Sequence, residues 1–371
     1  MRIPRSTGRT LALLTVAAAA FAALAGSAAA GPSRGAAVYT QSNAVAGNAI
    51  VAYDRAKDGS LTPAGSFATG GTGTGSGLGN QGAVVLADNG RFVFVVNAGS
   101  NDVSVLEVGK DGLSLTDRKP SGGTRPISLT VHGELLYVLN AGTPANITGF
   151  RVGHDGTLDP LAGSTRPLSG PAVGPAQVSF SPDGDTLVVT EKGTNQIDVF
   201  RVGKKGLAEA PTTVASSGMT PFGFDFDSRG NLIVSDAFGG AAGASELSSY
   251  NVSDVGVLSV VTPHAADGQT AACWVVVTKD GRFAYTTTTG SANVSSYTVG
   301  KDGSISLLNG NAGGTGAAPI DVALAAGSRF LYTLDAGAHG ISAFGVGKDG
   351  SLGAIGGPSG LPAGAVGLAA S

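Results

Sequence analysis

Residues 341–352 read ISAFGVGKDGSL. An alternating apolar strand runs into a Lys-Asp-Gly turn and out into a second strand. The same segment begins at Ile50 (IVAYDRAKDGSL), Val103 (VSVLEVGKDGLSL), Ile147 (ITGFRVGHDGTL), Ile197 (IDVFRVGKKGL), Leu247 (LSSYNVSDVGVL) and Val294 (VSSYTVGKDGSI), so the chain holds seven copies. Their turn glycines, Gly59, Gly112, Gly156, Gly206, Gly256, Gly303 and Gly350, lie 44 to 53 residues apart. Asp-Gly between alternating apolar runs is two-residue hairpin chemistry, in which both central residues take positive φ. The period therefore predicts an array of β units.

Upstream of each copy a second strand recurs: AVYTQSN from Ala37, RFVFVVNAG from Arg91, ELLYVLNAG from Glu134, DTLVVTEKG from Asp185, NLIVSDAFG from Asn231, RFAYTTTTG from Arg282 and RFLYTLDAG from Arg329. These runs are β-branched and aromatic, as strands are. A third strand precedes six of them, starting near Gly82, Pro126, Pro175, Pro221, Ala272 and Pro319. The first unit lacks it, and Leu361 to Ser371 (LPAGAVGLAAS) carries the same pattern with no hairpin after it. A ring whose last strand completes its first unit leaves only short, protected edges. The expected fold is all-β: a seven-bladed β-propeller over residues 36–371, its first blade completed by the C-terminal strand. A straight β-solenoid is the alternative, but it would not need the split first unit.

Glycine makes up 60 of 371 residues, yet no Gly-X-Y period runs through the chain, and 42% apolar residues are enough to bury a core. Arg2, Arg5 and Arg9, an apolar run from Leu11 to Leu24, and Ala28-Ala29-Ala30 read as a signal peptide over residues 1–30, cleaved near Ala30, with 31–35 as a linker. The expected product is secreted and extracellular, monomeric, and without an integral membrane segment. Losing the three arginines takes the net charge from −3 to −6, which argues against nucleic acid as a partner. Cys273, the single cysteine, sits in an apolar run and reads as buried packing.

Antiparallel order puts the turns from the inner strand A to strand B, and from C to the outer strand D, on one rim. The B–C and D–A loops share the other. The turn rim carries Lys57, Lys110, Lys301 and Lys348 with Asp88, Asp183 and Asp280, a solvated mixture of charge. The loop rim carries Asp102, Glu191, Asp236, Glu246, Asp267, Asp321 and Asp335 against Arg125, Arg166 and Lys192. That composition predicts an acidic mouth that disfavours polyanionic ligands. Two long Gly-rich loops, Gly70 to Gly79 and Asp236 to Glu246, read as flexible connections rather than a lid.

Catalytic motifs are sparse. No Gly-x-Ser-x-Gly elbow is present. A cluster of His264, His339 and Asp335 is conceivable as a metal or acid-base site, but dispersed exposed side chains are the plainer reading, so no metal and no cofactor are expected. Asp225, Asp227 and Arg229-Gly230 imitate a calcium loop only superficially, because Arg229 occupies a ligand position. Glu191 and Asp236 begin the B–C loops of successive blades, where paired carboxylates could do acid-base work.

The unit from Pro175 to Gly206 (PAQVSFSPDGDTLVVTEKGTNQIDVFRVGKKG) resembles the seven-bladed lactonase family, which includes propeller-type 6-phosphogluconolactonases and carboxymuconate lactonizing cyclases. Residues 92–108 (FVFVVNAGSNDVSVLEV) are similar to the YVTN propeller repeat of secreted and surface proteins. The resemblance implies lactone chemistry by His, Arg and Glu at the channel mouth. At the matching positions this chain has Gly174-Pro175-Ala176-Gln177 in place of the histidine strand, Phe222-Gly223 in place of Arg-His, Pro319-Ile320 in place of Pro-Arg, and Asp236 for glutamate. The expected function is therefore extracellular binding of a small molecule, glycan or protein through the acidic loop rim. The alternative is a lactone hydrolase or lactonizing cyclase acting on a non-phosphorylated lactone. Asp236 and Glu191 are its candidate bases, with Arg125 and Lys192 stabilising the oxyanion. Gln177, Asp321, Asp335 and His339 complete the candidate binding residues.

Overall fold

The computed structural model describes residues 36–371 apart from Asp88, Asp254 and Ala326. The expected signal peptide, its cleavage near Ala30 and the linker 31–35 lie outside the described residues, as does Asp88 of the turn rim. Seven antiparallel sheets form, six of four strands and one with a short fifth strand. The inner strands are Val84–Leu86, Pro126–His132, Pro175–Phe180, Pro221–Phe226, Ala272–Val277 and Pro319–Leu324 for blades 2 to 7. In blade 1 the inner strand is Val366–Ala370, paired with Ala37–Gln41. Ring closure is reinforced by the Ser371 amide donating to the Ala37 carbonyl at 2.9 Å.

The second strand of each blade is covered on both faces by its neighbours. Phe92–Asn97, Thr186–Glu191, Asn231–Asp236, Phe283–Thr288 and Phe330–Asp335 are buried at every position. This is why they read as unbroken apolar and β-branched runs. Outer strands such as Leu61–Ala68 and Leu258–Ala266 alternate or lie mostly exposed.

The repeated turns differ from the two-residue hairpins expected. Only the glycine takes positive φ, +89° at Gly59 and +84° at Gly303, while Asp58 and Asp302 do not. Ala56 donates to the Ser60 carbonyl and Gly59 back to the Ala56 carbonyl, a three-residue loop ending in a left-handed glycine. The aspartate serves as a local cap: Asp58 Oδ1 accepts from the Ser60 amide and hydroxyl, and Asp155, Asp302 and Asp349 do the same for Thr157, Ser304 and Ser351. These turns also join blades. Tyr332, Tyr285 and Tyr137 donate their hydroxyls to the carbonyls of Gly59, Gly350 and Gly206 in the next blade round the ring, at 2.8, 3.0 and 2.7 Å.

Candidate functional site

Inner strands are sheet edges, and their unpaired backbone groups face the bore. Side chains from neighbouring blades satisfy several of them. Ser128 and Thr130 accept from the Val178 and Phe180 amides, Asp225 from Val277, and Gln177 pairs with both the N–H and the C=O of Phe224. Gln177 is thus placed in the bore as an edge cap between blades 4 and 5.

The Gly-rich loop after blade 1 crosses that bore. Its first half is pinned to Asn43, whose side chain bonds the Thr74 amide and the Ser76 carbonyl. In its second half Leu78, Asn80 and Gln81 are buried. Asn80 Nδ2 donates to the Ile127 carbonyl of blade 3, and the Gln81 amide to Ala176 of blade 4 at 3.3 Å. On the far side, the Asn80 carbonyl accepts from Trp274 Nε1 at 2.6 Å, and the Gln81 amide group pairs with both backbone groups of Val275 at 2.8 and 3.2 Å. The expectation of a flexible connection over Gly70–Gly79 is corrected: that segment is bonded to blades 1 and 2, and Asn80 and Gln81 directly after it plug the bore through hydrogen bonds to blades 3, 4 and 6.

Lys192 sits on top of this plug. Its ammonium donates to the Gly79 carbonyl and stands 4.5 Å from the centre of the Phe222 ring, which itself lies 5.1 Å from Trp274. Burial pulls the Lys192 ammonium down to about 8, and the charge of Arg125 adds to the fall. Cys273 is nearby and buried, and burial pushes its thiol up to about 11, so it stays protonated.

The acidic mouth does not form. All seven acids assigned to the loop rim are buried, whereas Arg125 is exposed and Lys192 and Arg166 are partly so. The accessible charge at the mouth is therefore basic. Three of the acids, Glu191, Asp236 and Asp335, tie one blade to the next by bonding the D–A loop. Glu191 accepts from the Ser169 amide at 3.1 Å and from the Ser169 and Thr194 hydroxyls. Asp236 accepts from Ser216 at 3.2 Å and Ser248 at 2.7 Å. Asp335 bonds Thr333, Ser342 and the Gly316 amide, and Asp267 bonds Ser245 and Ser295. Burial pushes the Asp236 carboxyl up to about 7, and burial beside Glu191 raises Asp198.

Glu191 and Asp236 share no partner; each is sealed under its own loop. His264 pairs with Glu246 at 2.7 Å in blade 5, Asp335 lies in blade 7, and His339 is exposed, so the three do not form one cluster. Among the described residues no group of three or more His, Cys, Asp or Glu side chains is arranged to hold a metal ion. Asp227 is taken up by the Arg229 guanidinium at 2.7 Å and the Arg229 and Asn231 amides, as a simple hairpin requires. No helix among the described residues is long and apolar enough to cross a membrane. Sequence reasoning missed Phe222, Trp274 and the Leu78–Gln81 plug as parts of one site; only the apolar Leu78 inside a Gly-Ser-Thr run hinted at a buried anchor.

The sequence pattern of the seven-bladed β-propeller lactonase family matches residues 42–173, 163–237 and 239–356. The chain belongs to that family. Solved structures with the same fold include a protein of Bacteroides fragilis described as a candidate 6-phosphogluconolactonase, 21% identical, covering 91% of this chain and 98% of that one at a TM-score of 0.66. The periplasmic gluconolactonase of Pseudomonas aeruginosa is 17% identical, covering 89% and 98%, at 0.69. A protein of Lactobacillus plantarum is 15% identical, covering 91% and 99%, at 0.71. A search of curated protein sequences returns no match.

Proposed function

We propose that this protein is an exported binding propeller that holds a small anionic ligand, of the sugar-acid type, at the loop-rim mouth without hydrolysing lactones. The observation that carries the reading is the plugged bore beneath Lys192 and Phe222. It leaves the Lys192 ammonium and the Phe222 ring together over a closed bore, with no carboxylate base exposed beside them. Arg125 and Lys192 supply the charge for a carboxylate, and the Phe222 ring a surface for the apolar face of a sugar. The names of the B. fragilis and P. aeruginosa proteins, both sugar-lactone enzymes, point to the same ligand class. Export follows from the signal-peptide reading of residues 1–30, with Gly31 as the first residue expected in protein recovered from the culture medium.

A lactone-hydrolysing reading keeps Arg125 and Lys192 as stabilisers of a developing oxyanion. It lacks a base, because Asp236 and Glu191 are sealed beneath their loops. The two readings separate in one experiment. Gluconate and glucono-δ-lactone are titrated against the secreted form, following the fluorescence of Trp274, the single tryptophan, while lactone opening is measured in parallel. Saturable gluconate binding is expected, weakened at least about tenfold by Lys192→Met or Arg125→Ala, with lactone opening at the uncatalysed rate. Lactone turnover that disappears in Lys192→Met would overturn the binding reading.

A further inference from the structure

On the rim opposite the mouth, the A–B turns of blades 6 and 7 and the C–D turn of blade 7 border a groove of about 480 Å³. Arg282 frames it. Its Nε bonds Asp280 Oδ2 at 2.8 Å, its guanidinium lies 4.9 Å from the centre of the Phe283 ring, and Nη2 donates to the Lys348 carbonyl at 2.9 Å, which ties the blade 7 turn to blade 6. Four cations line the groove, Lys279, Arg282, Arg329 and Lys348, against one carboxylate, Asp280, which Arg282 already takes. Asp349, next to Lys348, is turned into its own cap on Ser351. No carboxylate of the described residues pairs with Lys279, Arg329 or Lys348 within 4.0 Å, and all three side chains are exposed.

The corresponding groove between blades 2 and 3 has the same frame without the positive charge. Arg91 stands where Arg282 does, 4.8 Å from the centre of the Phe92 ring and bonded to the His154 carbonyl at 2.6 Å. Glu134 holds the place of Arg329, their carbonyls accepting from the Val152 and Val346 amides, and His154 holds the place of Lys348. Glu107 takes Arg91 at 3.0 Å, and Glu134 stands 4.0 Å from His154. The blade 6 residue in the position of Glu107 is Thr298, which is neutral. The turn frame therefore does not require the cations at blades 6 and 7. In a chain of net charge −3, their gathering in one groove sets up a repulsion that a bound anion relieves.

We infer that this groove is a second binding site, taking a short chain of linked phosphate groups whose oxygens are held by Lys279, Arg329 and Lys348. Such a chain places several negative charges within the length of one groove, which a single carboxylate does not, and both guanidinium and ammonium donors suit phosphate oxygens. The volume lies within the range of small-molecule sites. Phe283 is buried beneath Arg282, so it offers no open aromatic face to a base or a sugar, and the groove reads the oxyanion chain itself. The site is on the other rim from Lys192 and Arg125 and does not depend on the reading of the mouth.

The probes are inorganic tripolyphosphate, orthophosphate and ATP, titrated into the intact protein by calorimetry at low salt. Tripolyphosphate is expected to bind saturably, at least about tenfold tighter than orthophosphate and no weaker than ATP, and to bind less tightly as salt is raised. Arg329→Glu combined with Lys348→His installs the residues of the blade 2–3 groove at exposed positions. It should cost at least about tenfold in tripolyphosphate affinity while the melting temperature of the free protein stays where it is. Lys279→Glu alone should weaken binding in the same direction, which serves if the double variant does not fold. A folded variant with Lys192→Met and Arg125→Ala should bind tripolyphosphate as wild type does. Absence of saturable tripolyphosphate binding overturns the proposal. So does binding undiminished by the groove variants, binding lost in the folded mouth variant, or ATP binding at least about tenfold tighter than tripolyphosphate.

Discussion

Asp236 illustrates how burial sets the behaviour of a single carboxyl. Its folded value of about 7 stands above the unfolded value of about 4. The folded state therefore holds a proton that the unfolded chain releases between about pH 4 and pH 7, and stability falls as pH rises through that window. The limiting slope is about 1.4 kcal/mol per pH unit for each such group. Urea denaturation of Asp236→Asn at several pH values should show a flatter profile than wild type, with no loss at neutral pH. Asp236→Ala, which leaves the Ser216 and Ser248 hydroxyls without this acceptor, should cost about 1–3 kcal/mol. An Asn variant with an unchanged slope would show that another acid dominates. The residue types at Glu191, Asp236 and Asp335 were plain in the sequence as polar ends of second strands. Their burial was not, because it depends on a D–A loop laid over them and on Ser or Thr side chains that look like ordinary linker residues.

The Lys-Asp-Gly-Ser turn is an element whose existence the spacing made clear and whose geometry it did not. A two-residue loop and a three-residue loop ending in a left-handed glycine both favour Asp followed by Gly. The serine after the glycine, which caps through Asp58, Asp302 and Asp349, was the unused clue. The same turns dock on the preceding blade, and two glycines separate that contact from backbone strain. Gly59 and Gly230 have similar φ, +89° and +87°, but a Cβ on Gly59 would stand 2.4 Å from the Phe330 ring, whereas none lies within 4 Å of one on Gly230. Gly230→Ala should cost only the left-handed conformation, about 1–2 kcal/mol. Gly59→Ala should cost at least about 1 kcal/mol more by displacing Phe330, read as a lower melting temperature. Equal losses would mean that the turn does not bear on the neighbouring blade. The Gly70–Gly79 loop is the opposite case: composition marked it as unusual, but the anchors of Asn80 and Gln81, directly after it, lie in blades 3, 4 and 6 and are remote in sequence.

For the whole molecule, closure is the structural event on which the rest depends. Val366–Ala370 pairs with Ala37–Gln41, and Val366, Leu368 and Ala369 are buried. Ending the chain at Ala365 would remove that strand and expose the edge of Ala37–Gln41. The expected loss is about 5 kcal/mol or more, comparable with the entire stability of many domains. A circular-dichroism melt should lose its cooperative transition, and size-exclusion chromatography should show association through the open edge. A cooperative, monomeric melt would mean that six complete blades and three strands suffice.

The sequence by itself determined the number of blades, the order of strands within each and the split first blade, because turn chemistry and apolar alternation act over a few residues and recur at a countable period. Only the tertiary structure decided which charges meet water. Seven acids that look like a rim are buried, three cations are left at the mouth, and the bore is crossed by a loop whose Gln81 bonds Val275 from 194 residues away. Those outcomes depend on desolvation by chain segments far apart in sequence, and no local pattern encodes which side of a strand end a neighbouring blade will cover.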